Sequence, residues 1–119
     1  MNSQTEVTGL KPADAIVVSI DNEQRVIRLR CDKHPDKCDK HQMKFKGMLH
    51  WRSAQQERFT IYFSPGRSPF DIDTLIYEQA TTPRAVIHEG TFKYTVRDDK
   101  DPTNELDPEI VVDPPKGDE

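Results

Sequence analysis

The sequence has few of the features that mark membrane or exported proteins. It has no apolar run near the roughly 18 residues that a transmembrane helix needs, and its first residues lack the basic start and apolar stretch of an export signal. Only 34% of its 119 residues are hydrophobic, and the mean hydropathy is −0.82. One core is therefore expected rather than two, in a soluble cytoplasmic protein without a membrane partner. A secreted protein without its leader would look the same.

Basic residues are not concentrated as they are in proteins that bind nucleic acid. Residues 31–47 hold five lysines and three aspartates, whereas residues 97–119 hold three basic and nine acidic groups. A duplex favours clustered Lys and Arg because their binding releases counterions. The acidic end therefore argues against a general nucleic-acid binder. We interpret the basic run at 40–46 as a solvated strand face rather than a phosphate contact.

Alternation of apolar and polar residues recurs along the chain and is typical of strands with one buried face. Ile16, Val18 and Ile20 share a face, and a turn at 21–23 leads to a second alternating stretch at 26–30, which together predict a hairpin. Further strands are predicted at 44–52, 59–63, 85–88, 91–97 and 110–112. Residues 72–79 predict a short helix or an irregular crossover.

Aromatic residues on these strands supply the expected core. The predicted core rings are those of Trp51, Phe59, Phe63, Phe92 and Tyr94. Phe70 ends a loop rich in proline and is predicted to close the core as a plug.

Five motifs together resemble the pattern of a group of small bacterial proteins with a cupredoxin-like fold. They are Leu49-His50-Trp51, Phe59-Thr60-Ile61-Tyr62-Phe63, Ser68-Pro69-Phe70, Gly90-Thr91-Phe92-Lys93-Tyr94-Thr95-Val96 and Leu106-Asp107-Pro108-Glu109-Ile110-Val111-Val112. The resemblance implies an all-β, Greek-key antiparallel sandwich of about seven or eight strands with at most one short helix. The domain would span residues 13–113, between a flexible N-terminal segment at 1–12 and a flexible acidic tail at 114–119.

The resemblance also implies where a copper ligand would lie. Cupredoxins bind copper through two His, one Cys and a weak axial Met, and in that family the Cys directly follows the motif that corresponds to residues 90–96. The stretch 96–104 of this sequence contains no Cys, His or Met. We therefore expect a cupredoxin-like domain without a type 1 copper centre.

A local repeat carries the main chemical signal. The tetrapeptide Cys-Asp-Lys-His occurs twice within residues 31–41, which contain both cysteines and two of the four histidines. Cys31, His34, Cys38 and His41 form a Cys₂His₂ set suited to Zn²⁺ or Cu(I). The spacing is not one of the usual zinc-finger spacings.

Other interpretations of this segment remain open. It could be an exposed connecting loop with idle, reduced cysteines, which the general behaviour of loops favours. Cys31 and Cys38 could form a disulfide outside the cytoplasm. A reactive redox thiol is least favoured, because neither a CxxC spacing nor a helix start lowers a thiol pKa here.

No combination of residues predicts an enzyme. The serines lack a GxSxG turn or another recognisable triad context, and the acidic run at 98–101 lacks the spacing of a calcium loop, so we interpret it as solvated charge. His50 and His88 are interpreted as structural. The sequence thus favours a non-catalytic interaction module with a protein partner. The alternative is a soft-metal-binding protein that uses Cys31, His34, Cys38 and His41.

Overall fold

The computed structural model describes residues 13–55, 57–71, 74–77 and 82–115, and at 74–77 it describes the backbone alone. These residues form ten strands and no helix. The strands are β1 (Asp14–Asp21), β2 (Val26–Arg30), β3 (Lys40–Lys44), β4 (Met48–Ser53), β5 (Phe59–Phe63), β6 (Thr74–Tyr77), β7 (Arg84–Ala85), β8 (Gly90–Asp98), β9 (Asp101–Leu106) and β10 (Glu109–Asp113). Within the described ranges, no helix long and apolar enough to cross a membrane is found.

The strands form two sheets. One has the order β2-β1-β4-β7, and the other has the order β3-β10-β8-β5-β6 with β9 also paired to β8. Neighbours in a sheet are often distant in sequence, as in a Greek key, so the predicted all-β sandwich is confirmed. It differs in having ten described strands and two parallel pairs, β1 with β4 and β3 with β10. Parallel pairing is open to these strands because a long connection separates each pair along the chain.

The aromatic core lies between the sheets. The Trp51 ring lies 5.4 Å from Tyr94, 6.0 Å from Phe70 and 6.4 Å from Phe63 between centroids, each in an edge-on arrangement. The Trp51 indole N–H also donates to the Tyr94 hydroxyl at 3.2 Å. Trp51, Phe63, Phe70 and Tyr94 are buried, as is Phe59, so these core predictions are confirmed, including the Phe70 plug. Phe92 is only partly buried.

The predicted long strand at 44–52 is wrong. Only Lys44 of that stretch belongs to β3, and a turn at 45–47 separates it from β4, which lies in the other sheet. Lys46 has a φ of 71°, and the Gly47 amide donates to the Lys44 carbonyl at 3.0 Å. A Cβ on Gly47 would lie only 3.0 Å from that oxygen, which explains the glycine. The alternation continues through the turn and therefore hides it.

Two other segments differ from expectation. Thr74–Tyr77 is strand β6 rather than part of a helix, while the rest of the predicted element, at 72–73 and 78–79, lies outside the described residues. Strand β9 occupies a region with no strand pattern. Strand β7 includes only Ala85 of the stretch predicted at 85–88. Alternation is a weak signal for strands whose side chains are mostly polar. The predicted flexible segments at 1–12 and 116–119 also lie outside the described residues.

The acidic run at 98–101 is not uniformly solvated. Asp98 is fully buried, and its carboxylate accepts hydrogen bonds from the Asn22 side chain at 2.6 Å and the Lys100 amide at 2.9 Å. The neighbouring Asp99 is exposed. Asp98 therefore joins the turn after β1 to the turn after β8, and the prediction of solvated charge is wrong at this position.

The segment between β2 and β3 crosses from one sheet to the other. Strand β2 belongs to the four-stranded sheet, and β3 is an edge strand of the other sheet, beside β10. Val17 pairs with Arg30, so the chain leaves β2 close to the beginning of β1. Residues 31–39 therefore lie at one side of the sandwich, where side chains from both sheets can meet.

We expect the Tyr94 hydroxyl to contribute to stability through its bond with Trp51. Tyr94→Phe should lower the free energy of unfolding by about 0.5 to 1.5 kcal/mol, because it removes a buried hydrogen bond without leaving a large cavity. Urea unfolding followed by Trp51 fluorescence measures the loss. Tyr62 is 41% exposed, so the matched change Tyr62→Phe should alter stability by less than about 0.5 kcal/mol. Equal losses in the two variants would contradict this role for Tyr94.

Candidate metal centre

Three side chains of the Cys/His repeat converge inside the protein. One donor atom each from Cys31, Cys38 and His41 lies within 4.8 Å of the other two. The three residues are only 7%, 1% and 3% exposed. Such proximity brings two sulfurs and one imidazole nitrogen within reach of a single ion.

Strand geometry and local backbone bonds hold the two cysteines in place. Cys31 directly follows β2 and continues the buried face formed by Ile27 and Leu29. The chain then turns, with the amides of Cys31 and His34 each donating to the other residue's carbonyl at 3.0 Å. It returns so that the Cys38 amide donates to the Leu29 carbonyl at 2.7 Å. This bond brings Cys38 back beside the end of β2.

His41 comes from the other sheet and is oriented by a carboxylate. It is the second residue of β3, opposite Ile110 of β10. Its Nε2 lies 3.0 Å from Asp14 Oδ2. An ionised carboxylate only accepts hydrogen bonds, so Nε2–H donates and Nδ1 keeps its lone pair. Nδ1 lies 3.7 Å from Cys38 Sγ, on the side of the ring where a metal ion would bind.

Burial favours the neutral forms of Cys38 and His41. It raises the pKa of the Cys38 thiol, and the adjacent Cys31 raises it further. Burial also lowers the pKa of His41, although the hydrogen bond and the charge of Asp14 oppose that shift. Without an ion, therefore, Cys38 is a thiol whose S–H can donate to the neutral ring of His41. A metal ion would replace the thiol protons, since thiolates are the form that ligates.

The observed spacing is compatible with one bound ion. Zinc lies about 2.3 Å from a cysteine sulfur and about 2.0 to 2.1 Å from an imidazole nitrogen, which places the donors about 3.6 Å apart at a tetrahedral angle and about 3.8 Å apart at a trigonal one. The distance of 3.7 Å from Cys38 Sγ to His41 Nδ1 falls between these values. Little movement of these two side chains is required.

A small cavity adjoins the cluster. Its volume is about 160 Å³, and it is lined by Asp14, Ala15, Cys31, Asp32, Lys33 and His41. Cys38 is not part of the lining. The cavity therefore meets the cluster on the side of Cys31 and His41.

The structure brings together three of the four predicted ligands. Cys31, Cys38 and His41 come together, whereas His34 is exposed and lies outside the group. The loop is exposed between its cysteines, at 32–37, but both cysteines are buried. The prediction of an exposed loop is thus wrong at those two positions. Both are free thiols.

One residue of the centre has no signal in the sequence. Asp14 lies 27 positions before His41, in a polar stretch at the beginning of β1, and only the packing of the two sheets brings the two together. The burial of Cys31 could have been predicted from the sequence, because Cys31 continues the period-two face of Ile27 and Leu29. His50 is half-buried and His88 exposed, and neither belongs to a group of three ligands in the part of the chain that the structure describes.

Comparison with known proteins finds similarity in structure and none in sequence. No protein-family model and no curated protein sequence matches the chain. A mutant of amicyanin in its Cu(I) form is 17% identical, with a TM-score of 0.49, over 88% of this chain and 87% of that one. The McoA multicopper oxidase from the hyperthermophile Aquifex aeolicus is 10% identical, with a TM-score of 0.54, over 86% of this chain and 26% of that one. The fold is cupredoxin-like, as the sequence motifs implied.

We expect the two thiols to differ in reactivity. In reduced, metal-free protein, N-ethylmaleimide should label Cys31 before Cys38, because only Cys31 reaches the cavity and burial keeps Cys38 protonated. Mass spectrometry of the intact protein and its peptides follows the order of labelling. The single variants Cys31→Ser and Cys38→Ser isolate each rate, and urea-unfolded protein gives the unprotected rate. If Cys38 were labelled as fast in the folded protein as in urea-unfolded protein, the burial of Cys38 would be contradicted.

Proposed function

We propose that this protein is a small soft-metal-binding protein that holds one Zn²⁺ or Cu(I) ion between Cys31, Cys38 and His41. The observation that carries this proposal is the convergence of three buried soft donors, one of them oriented by Asp14. A metal-ligating histidine usually donates its other ring N–H to a carboxylate, carbonyl or water. The bond from His41 to Asp14 has this form.

The donor set narrows the choice of ion. Two thiolates and an imidazole suit Zn²⁺ and Cu(I), whereas Mg²⁺ and Ca²⁺ prefer oxygen ligands. Two thiolates also balance the charge of Zn²⁺, which lowers the cost of holding the ion in a buried site. Zn²⁺ and Cu(I) are therefore the two ions to test.

The place of the cluster supports a fold without a type 1 copper centre. In the family that the motifs resemble, the copper Cys follows the strand corresponding to β8. Here β8 ends in Arg97 and Asp98, and residues 97–119 contain no Cys, His or Met. The proposed ligands instead lie on the segment from β2 to β3. The ion that we propose would therefore be held by a different segment of the chain from the one that supplies the cupredoxin cysteine.

We propose metal binding rather than catalysis as the role of this centre. The non-catalytic interaction module with a protein partner stays a prediction, as do the cytoplasmic location and the absence of nucleic-acid and membrane partners. Exposed large apolar side chains among the described residues are Met48, Tyr62 and Ile87, and they do not lie on one strand. Scattered apolar residues of this kind are ordinary on a protein surface.

The proposal predicts one bound ion per chain. Reduced protein incubated with Zn²⁺ or, without oxygen, Cu(I) should retain about one equivalent after dialysis, as measured by elemental analysis. Cys31→Ser, Cys38→Ser and His41→Ala should each lower retention strongly, because each removes one of only three ligands. His34→Ala is the matched control from the same loop and should retain the ion.

Two results would contradict this assignment. Equal retention by the wild type and the double variant Cys31→Ser, Cys38→Ser would remove the metal site. Loss of the ion in His34→Ala would show that the three-ligand centre is incomplete. Circular dichroism of each metal-free variant checks that the sandwich has folded.

Asp14 provides a second test, as a residue that positions a ligand. Asp14→Ala should weaken metal affinity by roughly 10-fold to 100-fold, because His41 loses the acceptor that fixes its tautomer and ring orientation. Competition with a chelator indicator measures the affinity. Asp14→Glu should recover part of it by restoring a carboxylate. Asp32→Ala, a change in a carboxylate that lines the same cavity, should have a much smaller effect. If Asp14→Ala and Asp32→Ala lowered the metal affinity equally, Asp14 would act only through its negative charge and not by positioning His41.

A further inference from the structure

The cluster supplies fewer ligands than zinc usually takes. Structural zinc sites have four protein ligands, whereas catalytic sites have three and leave a fourth position for water or a small molecule. Among the described residues, only Cys31, Cys38 and His41 form the group. The carboxylate of Asp14 is bonded to His41 Nε2, on the side of the ring away from Nδ1. A fourth ligand would therefore have to come from elsewhere.

The cavity lies where such a ligand could enter. Cys31 and His41 line it, whereas Cys38 does not. The cavity thus borders two of the three ligand residues. A water molecule takes about 30 Å³ in the liquid, so a cavity of about 160 Å³ has room for about five atoms of that size. The space suits a molecule of a few heavy atoms and excludes a folded protein segment.

The charges around the cavity do not by themselves select the ligand. A Zn²⁺ ion with two thiolates and a neutral imidazole has no net charge, so a fourth anionic ligand is not repelled by excess charge at the ion. Lys33 lines the cavity, and its ammonium donates to the Gln42 carbonyl at 3.1 Å, which holds the cation at the rim. The carboxylates of Asp14 and Asp32 line the cavity as well and outnumber this one cation. Binding would therefore depend mainly on the bond to the metal.

We propose that the ion held by Cys31, Cys38 and His41 keeps one coordination position open to this cavity, where it binds a small monodentate anion with a nitrogen or sulfur donor. This inference rests on the proposed function. It makes the centre a binding site for a small exogenous ligand rather than a closed structural site.

The test uses Co²⁺ in place of zinc and azide as the probe anion. The ligand-field absorption of Co²⁺ reports its coordination, so azide should change the spectrum of the full-length Co²⁺ protein in a saturable manner. Elemental analysis should show that the protein retains its metal throughout the titration. Inner coordination by azide at constant metal content supports the proposal.

Variants of the cavity show where the anion enters. Ala15 lines the cavity and is not a ligand. Ala15→Leu adds about three carbon atoms there and should weaken the azide response by about tenfold or more while Co²⁺ is retained, because the side chain occupies the anion's space. Ala15→Val is a milder change that keeps a side chain suited to a strand, and it should give an intermediate response.

Lysine variants test whether the positive charge at the rim of the cavity contributes to azide binding. Lys33→Ala should weaken azide binding several-fold, since it removes the cation nearest the cavity. Lys37→Ala is the matched control, because Lys37 is exposed, pairs with Asp39 and does not line the cavity. It should leave azide binding unchanged. His34→Ala should keep the azide response if the position is open.

The outcomes separate this inference from the proposed function. If the protein binds one Co²⁺ but azide leaves its spectrum unchanged, the centre is closed and the inference fails while the proposed function stands. An azide response of equal strength in the wild type and Ala15→Leu also overturns it, since the anion would then enter elsewhere. Failure to bind Co²⁺, Zn²⁺ and Cu(I) overturns both proposals.

Discussion

The contact between the two sheets around Trp51 is the constraint on which the rest of the structure depends. Trp51 of β4 lies in one sheet, and Tyr94 of β8 and Phe63 of β5 lie in the other, so their ring contacts hold the sheets together. The two cysteines of the candidate centre belong to the same buried cluster as Trp51 and Tyr94. Packing of the aromatic core and placement of the cysteines are therefore linked.

The candidate centre uses the boundary between the sheets. Asp14 and Cys31 belong to the side of the four-stranded sheet, whereas His41 belongs to β3 of the other sheet. Burying an imidazole and two thiols costs free energy unless polar atoms find partners. The Asp14 carboxylate and the neighbouring Cys38 thiol offer these partners to His41. These partners stabilise the buried cluster when no ion is bound. Once the two thiols lose their protons, the same three side chains can bind a metal ion.

Much of the fold was predictable because strands with one buried face leave a period-two pattern. The hairpin of β1 and β2 and the aromatic residues of the core strands follow from such patterns, whereas the Phe70 plug was predicted from its place at the end of a proline-rich loop. The turn at 45–47 was hidden because the alternation continues through it. Strand β9 was missed because its side chains are mostly polar, and the burial of Asp98 because a carboxylate carries no local sign of its distant partner Asn22.

By itself the sequence determined the type of chemistry that this protein can offer, because Cys31, Cys38 and His41 are soft donors wherever they lie. It also determined which strand faces turn inward, since that depends on local alternation. Only the tertiary structure decided which donors meet. The packing of the two sheets brings Asp14 of β1 to His41 of β3, while His34 is left in solvent. Contacts between residues far apart along the chain depend on strand register, and register is a property of the assembled sheets.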